Sequence, residues 1–220
     1  MAELPVKAPP RRLLLPLALA GASLLLWDTF ALYPFRLFVV FLHEISHGLA
    51  AIATGGSIVS IGLSHDEGGL CVTRGGWPFL ILNAGYLGSL LWGALFLRLG
   101  GKRTRARSVV GVVGAFTLAV TIVYVRTGFG IAYGLAAGLV LVGVASRLKP
   151  AFSEVLLAAI GATSVLYAVW DVASDVLFRH SGQSDAAALA QLTGIPALAW
   201  GLAWVVASIL VLLAVLRRLA

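Results

Sequence analysis

Long apolar segments alternate with short polar or basic segments along almost the whole chain. The apolar segments lie at about residues 13–33, 34–54, 77–98, 108–125, 128–146, 152–178 and 194–216. A helix of about 20 apolar residues spans about 30 Å, which matches the hydrocarbon core of a bilayer. The pattern therefore predicts an all-α polytopic membrane protein with six or seven transmembrane helices.

The segment at residues 57–75 breaks this pattern. Residues 57–63 alternate and contain several β-branched side chains, residues 65–69 are His-Asp-Glu-Gly-Gly, and residues 70–73 are again strand-like. Two such stretches on either side of a glycine-rich turn are typical of paired strands. We therefore expect a short β-hairpin directly after the second apolar segment.

The composition supports a membrane protein. Hydrophobic residues make up 60% of the 220 residues and charged residues only 11%, whereas a soluble domain has about 25% charged residues. The formal charge of +7 comes from basic residues between the apolar segments, which indicates contact with a lipid bilayer and no nucleic-acid partner. Residues 1–12 predict a flexible basic N-terminal segment, and residues 13–220 predict a single integral membrane domain.

The basic clusters give conflicting information on membrane sidedness. The clusters at residues 102–107, 147–149 and 217–218 fit the cytoplasmic side, where loops are enriched in Lys and Arg. Three full crossings before residue 100 would place the basic N-terminal segment on the other side. Either one early apolar segment does not cross fully, or the charge rule is broken at the N-terminus.

The second apolar segment contains the sequence His43-Glu44-Ile45-Ser46-His47 near its middle. Residues four apart share a helix face, so both imidazoles project in one direction with a carboxylate beside them. Zinc hydrolases use such a pair as metal ligands and the glutamate as the base that activates a bound water. The alternative is two buried histidines that bond to neighbouring helices, but three ionisable groups so close together in a membrane segment favour a functional site.

A catalytic zinc site needs a third protein ligand. The sixth apolar segment contains Asp171 and Asp175, which are four residues apart and share a helix face. We expect Asp171, which lies deeper in the segment, to bind zinc, and Asp175 to orient a ligand or to reach water. An interhelical ion pair with a basic residue such as Arg126 is the structural alternative.

Two further polar sites need an interpretation. Asn83 lies inside the third apolar segment, where its amide could bind the substrate backbone or an oxyanion, or support helix packing beside Gly85. The polar residues 65–67 look like a second metal cluster, but they occupy the turn of the predicted hairpin. We expect a solvated turn there.

These features resemble the site-2 protease family of intramembrane zinc metallopeptidases, in its compact bacterial branch without a PDZ domain. The resemblance rests on His43 to Gly48 in a membrane helix, on the hairpin that follows, and on the Ala-Gly pair at residues 84–85. It covers residues 34–90 well. It also implies that the hairpin pairs with an unwound substrate strand through residues 57–63 or 70–73.

The resemblance implies a specific set of site residues. Zinc would be bound by His43, His47 and a distant aspartate, and Glu44 would act as the general base. The family aspartate commonly lies in a Leu-Asp-Gly sequence, and its best counterpart here is Asp171, which has Trp and Val as neighbours.

The sequence thus predicts an intramembrane zinc metalloprotease that hydrolyses peptide bonds of transmembrane protein substrates in a bacterial cytoplasmic membrane. Two alternatives stay open, namely a membrane protein that binds or transports metal without proteolysis, and an inactive protease homologue. The intact Glu44 argues against the inactive homologue, because a scaffold does not need the base.

Overall fold

A computed structural model describes the backbone of residues 11–100, 103–177 and 184–219. The side chains of residues 11–13, 168–169, 171–177, 215–216 and 218–219 lie outside the described part. The helices are α1 (Arg11–Leu25), α2 (Tyr33–Ala53), α3 (Pro78–Gly100), α4 (Arg103–Tyr124), α5 (Gly128–Arg147), α6 (Pro150–Leu177), α7 (Asp185–Thr193) and α8 (Ala197–Leu219). The strands are β1 (Ser57–Leu63) and β2 (Gly69–Arg74). Six of these helices, α2 to α6 and α8, are long and apolar enough to cross a membrane, which confirms the predicted fold class.

Local signals set several helix boundaries. Pro34, Pro78 and Pro150 occupy the first turns of α2, α3 and α6, where the missing N–H has no helical partner to lose. α2 ends just before Gly55, whose φ of 87° is a left-handed conformation that glycine adopts without strain. The chain then enters β1.

The predicted hairpin is present directly after α2. β1 and β2 pair in antiparallel register, from Ser57 opposite Arg74 to Leu63 opposite Gly69. Ile61 in β1 is fully buried and forms an isolated bridge with the segment after α4. The outer edge of β1 is therefore attached to the connection between α4 and α5.

Close helix packing depends on small residues. A Cβ atom at Gly93 of α3 would lie 2.9 Å from the carbonyl oxygen of Gly161 on α6. Likewise, a Cβ atom at Gly114 of α4 would lie 3.0 Å from the carbonyl oxygen of Gly138 on α5. These glycines let the backbones approach closely, as is common between membrane helices.

The two ends of the helical bundle differ in the elements they carry. At one end, the start of α4 meets the start of α6 through an ion pair of Arg103 with Glu154 at 3.0 Å. Arg107 donates to the carbonyl oxygen of Ala145 in the last turns of α5, so this is also where α5 ends. We call this the basic end. The opposite end carries the starts of α3 and α5 and the β-hairpin, and we call it the hairpin end.

α1 begins at the basic end. It runs in the same direction as α6, because Ser23 contacts Thr163, while Trp27, just after the end of α1, packs on Tyr167 further along α6. Since α6 starts at the basic end, α1 starts there as well.

Both ends of α2 contact parts of the hairpin end. Near its start, Arg36 donates to the carbonyl oxygen of Trp27, which packs on Tyr167, about 26 Å along α6 from the basic end. At its end, Thr54 accepts a hydrogen bond from the backbone N–H of Trp77 at the start of α3.

Candidate metal centre

His43 and His47 lie one turn apart on α2, and both side chains are largely buried. Their ring centroids are 4.8 Å apart, and the rings are nearly perpendicular. Both Nε2 atoms lie 3.2 Å from the same atom, Oδ2 of Asp185. The two imidazoles therefore share one helix face, as expected, and converge on a carboxylate from a remote part of the chain.

A hydrogen bond to the second ring nitrogen, Nδ1, fixes the orientation of the His47 ring. Its Nδ1 lies 2.7 Å from the carbonyl oxygen of Ile81 on α3. A carbonyl oxygen only accepts hydrogen bonds, so Nδ1 carries the proton and donates it. In the neutral ring, the Nε2 lone pair then points towards Asp185, which is the arrangement that metal-ligating histidines usually have.

α3 passes very close to both histidines at Gly85. A Cβ atom at this position would lie 2.5 Å from the Nε2 of His47, and closer still to that of His43. Glycine is therefore required at this point, because any side chain would displace the imidazoles.

Glu44 lies beside the imidazoles and under the hairpin. Its side chain is buried, and the backbone N–H of Cys71 in β2 bonds to its carboxylate. A Cβ atom at Gly69 would lie 2.8 Å from the carboxyl carbon of Glu44. One ligand atom from each of His43, Glu44 and His47 falls within 4.8 Å of the others, so these three residues could hold a metal ion.

Asp185 is the first residue of the short helix α7. The hydroxyl oxygen of Ser184 accepts a hydrogen bond from the backbone N–H of Ala187 at 3.2 Å, which caps the helix and fixes its first turn. Burial alone would raise the pKa of Asp185, but hydrogen bonds and positive charge from His43 and His47, when their rings are protonated, hold it below its usual range. The carboxylate is therefore anionic.

Asp185 lies outside the apolar segments in which a third ligand is expected from the sequence. Its signal in the sequence is Ser184-Asp185 ahead of Ala-Ala-Ala-Leu, which is a typical helix start with an acid in the first turn. The side chains of Asp171 and Asp175 are outside the described residues, so their roles as ligand and supporting residue stay predictions.

The amide of Asn83 connects two helices. Its Nδ2 donates to the carbonyl oxygen of Phe79 at 2.8 Å, and its Oδ1 accepts from the indole N–H of Trp204 on α8 at 3.0 Å. Trp204 stacks on Tyr86 with ring centroids 4.4 Å apart, and Tyr86 meets His43 edge-on at 5.0 Å. Asn83 therefore supports the aromatic side chains behind the metal centre.

The turn of the hairpin is solvated. The side chains of His65 and Asp66 are 85% and 73% exposed. Their ring nitrogen and carboxylate oxygen are 3.9 Å apart. These two residues agree with the expectation of a solvated turn, whereas Glu67 is only 20% exposed and pairs with Arg36 at 2.6 Å.

A cavity of about 600 Å³ connects the histidines with the hairpin. Its lining contains the motif residues, Asp185, the turn and residues of β2, together with apolar and aromatic side chains from α2, α3 and α6. Among these are Val40, His43, Glu44, His47, Asp66, Glu67, Leu70, Cys71, Thr73, Ile81, Tyr86, Tyr167 and Asp185. Burial and the nearby Glu44 raise the pKa of Cys71 to about 12, so its thiol is neutral.

Comparison with known families matches residues 16–215 to the Peptidase M50B-like family. The chain belongs to this family. Membership confirms the resemblance to the site-2 proteases and identifies an integral membrane metallopeptidase in general terms. No curated protein and no solved structure shows a significant match to the chain.

Proposed function

We propose that this M50B-like protein is a zinc endopeptidase that hydrolyses peptide bonds of membrane-embedded protein substrates. The observation that carries the proposal is the convergence of two imidazole nitrogens on one carboxylate oxygen at 3.2 Å. In a tetrahedral site, zinc–ligand bonds of about 2.0–2.1 Å place neighbouring ligand atoms about 3.3 Å apart. The donor set and its distances therefore fit zinc bound by His43, His47 and Asp185.

The hydrogen bond behind His47 supports the same ligand set. Because its Nδ1–H donates to Ile81, a neutral His47 has a lone pair directed at the carboxylate of Asp185. Two acceptors 3.2 Å apart repel each other unless a proton or a cation lies between them. A zinc ion would satisfy both acceptors at once.

Glu44 is the proposed general base. Zinc bound at this site would polarise the scissile carbonyl and lower the pKa of a water molecule in its open position. Glu44 would accept the proton of that water and deliver it to the leaving amine. The N–H of Cys71 restricts rotation of its carboxylate, and Gly69 leaves room for it under the hairpin.

The second strand of the hairpin is the proposed docking edge for substrate. A transmembrane substrate helix must unwind before cleavage, because its carbonyl groups are otherwise bonded and shielded. The outer edge of β1 is already used, since the backbone N–H of Arg126 donates to Ile61 at 3.0 Å. β2 lines the cavity through Leu70, Cys71 and Thr73, so we propose that the unwound segment pairs with β2.

The zinc content of purified protein tests the ligand set. We expect Asp185→Ala to lose stoichiometric zinc because it removes the third ligand, and Asp171→Ala and Asp175→Ala to retain it. Both of the latter remove one acid from the neighbouring helix α6 and serve as matched controls. Zinc loss in Asp171→Ala together with zinc retention in Asp185→Ala would support the assignment from the sequence and refute Asp185.

The variant Glu44→Gln tests the reaction. The amide has the same shape as the acid but cannot accept the proton, so we expect zinc to stay bound while cleavage falls by at least about 100-fold. The assay is cleavage of a transmembrane peptide reconstituted with the protein in liposomes. Cleavage by Glu44→Gln at the wild-type rate contradicts this mechanism, and a wild-type protein that binds zinc but cleaves no peptide favours a non-proteolytic metal-binding function.

A further inference from the structure

We propose that Thr127 is a positioning residue for the substrate, because its hydroxyl group holds the start of β2 over the candidate general base. Thr127 lies between α4 and α5, and 64 residues separate it in the sequence from Leu63, to which it bonds. The proposal rests on the proposed function, in which β2 is the docking edge and Glu44 is the base. It adds a residue that belongs neither to the metal ligands nor to the lining of the cavity.

The hydroxyl group of Thr127 makes two hydrogen bonds to one residue of the hairpin. It accepts from the backbone N–H of Leu63 at 3.0 Å and donates to the carbonyl oxygen of Leu63 at 2.9 Å. The backbone N–H of the preceding residue, Arg126, donates to the carbonyl oxygen of Ile61 at 3.0 Å. Ile61 and Leu63 are only 0% and 3% exposed, so their backbone groups need partners within the protein. One hydroxyl group therefore continues the backbone pairing along the outer edge of β1.

A threonine at this position would ordinarily cap its own helix. Thr127 is the N-cap residue of α5, with an extended backbone. The hydroxyl oxygen of an N-cap threonine usually accepts a hydrogen bond from a backbone N–H in the first turn of that helix. Thr127 makes no such bond, and its hydroxyl group binds the hairpin instead. Helix capping therefore does not explain the hydroxyl group at this position.

Two glycines leave room for the Thr127 side chain. A Cβ atom at Gly130 on α5 would lie 2.6 Å from the hydroxyl oxygen of Thr127 and 3.3 Å from the backbone nitrogen of Leu63. A Cβ atom at Gly62 on β1 would lie 3.2 Å from the methyl carbon of Thr127. A substitution at Gly130 can therefore displace the hydroxyl group while Thr127 itself is unchanged.

The contact is connected to the candidate base through one pair of strand residues. Leu63 is opposite Gly69, the first residue of β2. A Cβ atom at Gly69 would lie 2.7 Å from Cγ and 2.8 Å from the carboxyl carbon of Glu44, so the two residues are in direct contact. Two residues further along β2, the backbone N–H of Cys71 bonds to the same carboxylate. Thr127 therefore fixes the strand residue that pairs with the part of β2 lying on Glu44.

The position of β2 depends on such anchors, because an isolated two-stranded hairpin is only marginally stable. The turn has two contacts with α2 and the residue before Pro34: Arg36 pairs with Glu67 at 2.6 Å, and Tyr33 donates to the carbonyl oxygen of His65 at 2.7 Å. These contacts hold the tip of the hairpin, whereas Thr127 holds the strand. A substrate segment that pairs with β2 needs N–H···O distances near 2.9 Å along the whole edge, so a displaced β2 should bind it more weakly.

Thr127→Val tests the proposal, because valine has a similar shape and removes both hydrogen bonds. We expect KM for a transmembrane peptide reconstituted with the protein in liposomes to rise about 10-fold, while kcat changes by less than about 3-fold and zinc content equals that of the wild type. Thr127→Ser keeps the hydroxyl group and should restore the wild-type KM. Thr121→Val is the matched control, because the Thr121 hydroxyl donates within α4, to the carbonyl oxygen of Thr117 at 2.7 Å.

Gly130→Ala is a second variant, in case Thr127→Val fails to fold. We expect it to raise KM in the same way, because its Cβ atom displaces the Thr127 hydroxyl group. Both variants should also speed hydrogen exchange of the backbone at residues 63–69 in purified protein. This measurement needs no proteolytic activity.

The split between KM and kcat separates a positioning role from a merely structural one. Partial unfolding would lower kcat and zinc content together and leave KM unchanged. That result, a wild-type KM in Thr127→Val, or equal impairment in Thr127→Ser overturns the positioning role. Unchanged hydrogen exchange at residues 63–69 in Thr127→Val overturns the anchor itself. A wild-type protein that binds zinc but cleaves no peptide refutes the proposed function, and with it the role of Thr127 in substrate binding.

Discussion

Gly85→Ala is a sensitive test of the metal centre, because it adds one methyl group at the point where α3 meets both histidines. The change introduces no charge and removes no ligand. A Cβ atom at position 85 would lie 2.5 Å from the Nε2 of His47 and still closer to that of His43. Either α3 or the imidazoles must move, and α3 is anchored by its contacts with α6.

The expected loss of affinity follows from these distances. Ordinary van der Waals contact begins at 3.4 Å, so the His47 ring must retreat by about 0.9 Å, the difference between 3.4 Å and 2.5 Å. Metal–ligand distances tolerate only about ±0.2 Å, so one ligand should be lost. A structural zinc site with four ligands is worth about 10–16 kcal/mol, or about 2.5–4 kcal/mol per ligand. We therefore expect zinc affinity to fall about 100- to 1000-fold.

The assay is competition for zinc with a chromogenic chelator, carried out on purified protein in detergent. Gly100→Ala is the matched control on the same helix, because its Cβ atom would lie 3.9 Å from Leu157, an ordinary contact. We expect this control to bind zinc like the wild type. If Gly85→Ala also binds zinc with wild-type affinity while its thermal unfolding is unchanged, α3 does not confine the two imidazoles and the geometric argument is refuted.

Three further predictions concern the residues that support the site. Trp204→Ala should weaken zinc binding about 10-fold, because it removes the ring that supports Tyr86 against His43. Trp204→Phe should lose less affinity, since it keeps the stack on Tyr86 and loses only the hydrogen bond to Asn83. The same chelator competition measures both variants. Ser184→Ala should destabilise α7 by about 1 kcal/mol and lower zinc affinity, because the cap stabilises the first turn, which contains Asp185. Equal rates of hydrogen exchange in α7 of the variant and the wild type would contradict this. Arg36→Met and Glu67→Gln, combined in a double-mutant cycle on thermal unfolding, should show a coupling free energy of about 1 kcal/mol. The reason is that this ion pair is mostly buried and connects the turn to α2. Additive effects of the two substitutions would show that the pair contributes nothing to stability.

The helices and the hairpin were predictable because their signals are local. The apolar segment 34–54 differs from α2 by one residue at each end. The alternation of residues 57–63 predicted β1 with the observed bounds, since β-branched residues and a glycine-rich turn specify paired strands. The spacing of His43 and His47 was also sufficient to place both rings on one face.

The path of α2 through the bundle was not predictable from the sequence. Its 21 residues are long enough to cross, and composition alone favours a crossing. Its course depends on long-range contacts, namely the Arg36 bond to the segment before α2 and the Thr54 bond to the start of α3. No pattern within α2 encodes these contacts.

The position of Asp185 beside the two imidazoles was not predicted, because an acid inside an apolar segment attracts attention, whereas an acid between segments does not. Asp171 is conspicuous in the sequence, since a charge in a membrane helix is costly. Asp185 begins a helix of nine residues, about 14 Å long, which is too short to cross a bilayer. A short helix between two spans can nevertheless carry its first turn into the bundle, and its free N–H groups and dipole stabilise a carboxylate there. An acid in the first turn of a short helix next to a membrane span is therefore as strong a ligand candidate as an acid within a span. Measuring the zinc content of Asp185→Ala and of Asp171→Ala decides whether the acid on the short helix or the acid in the apolar segment binds the metal.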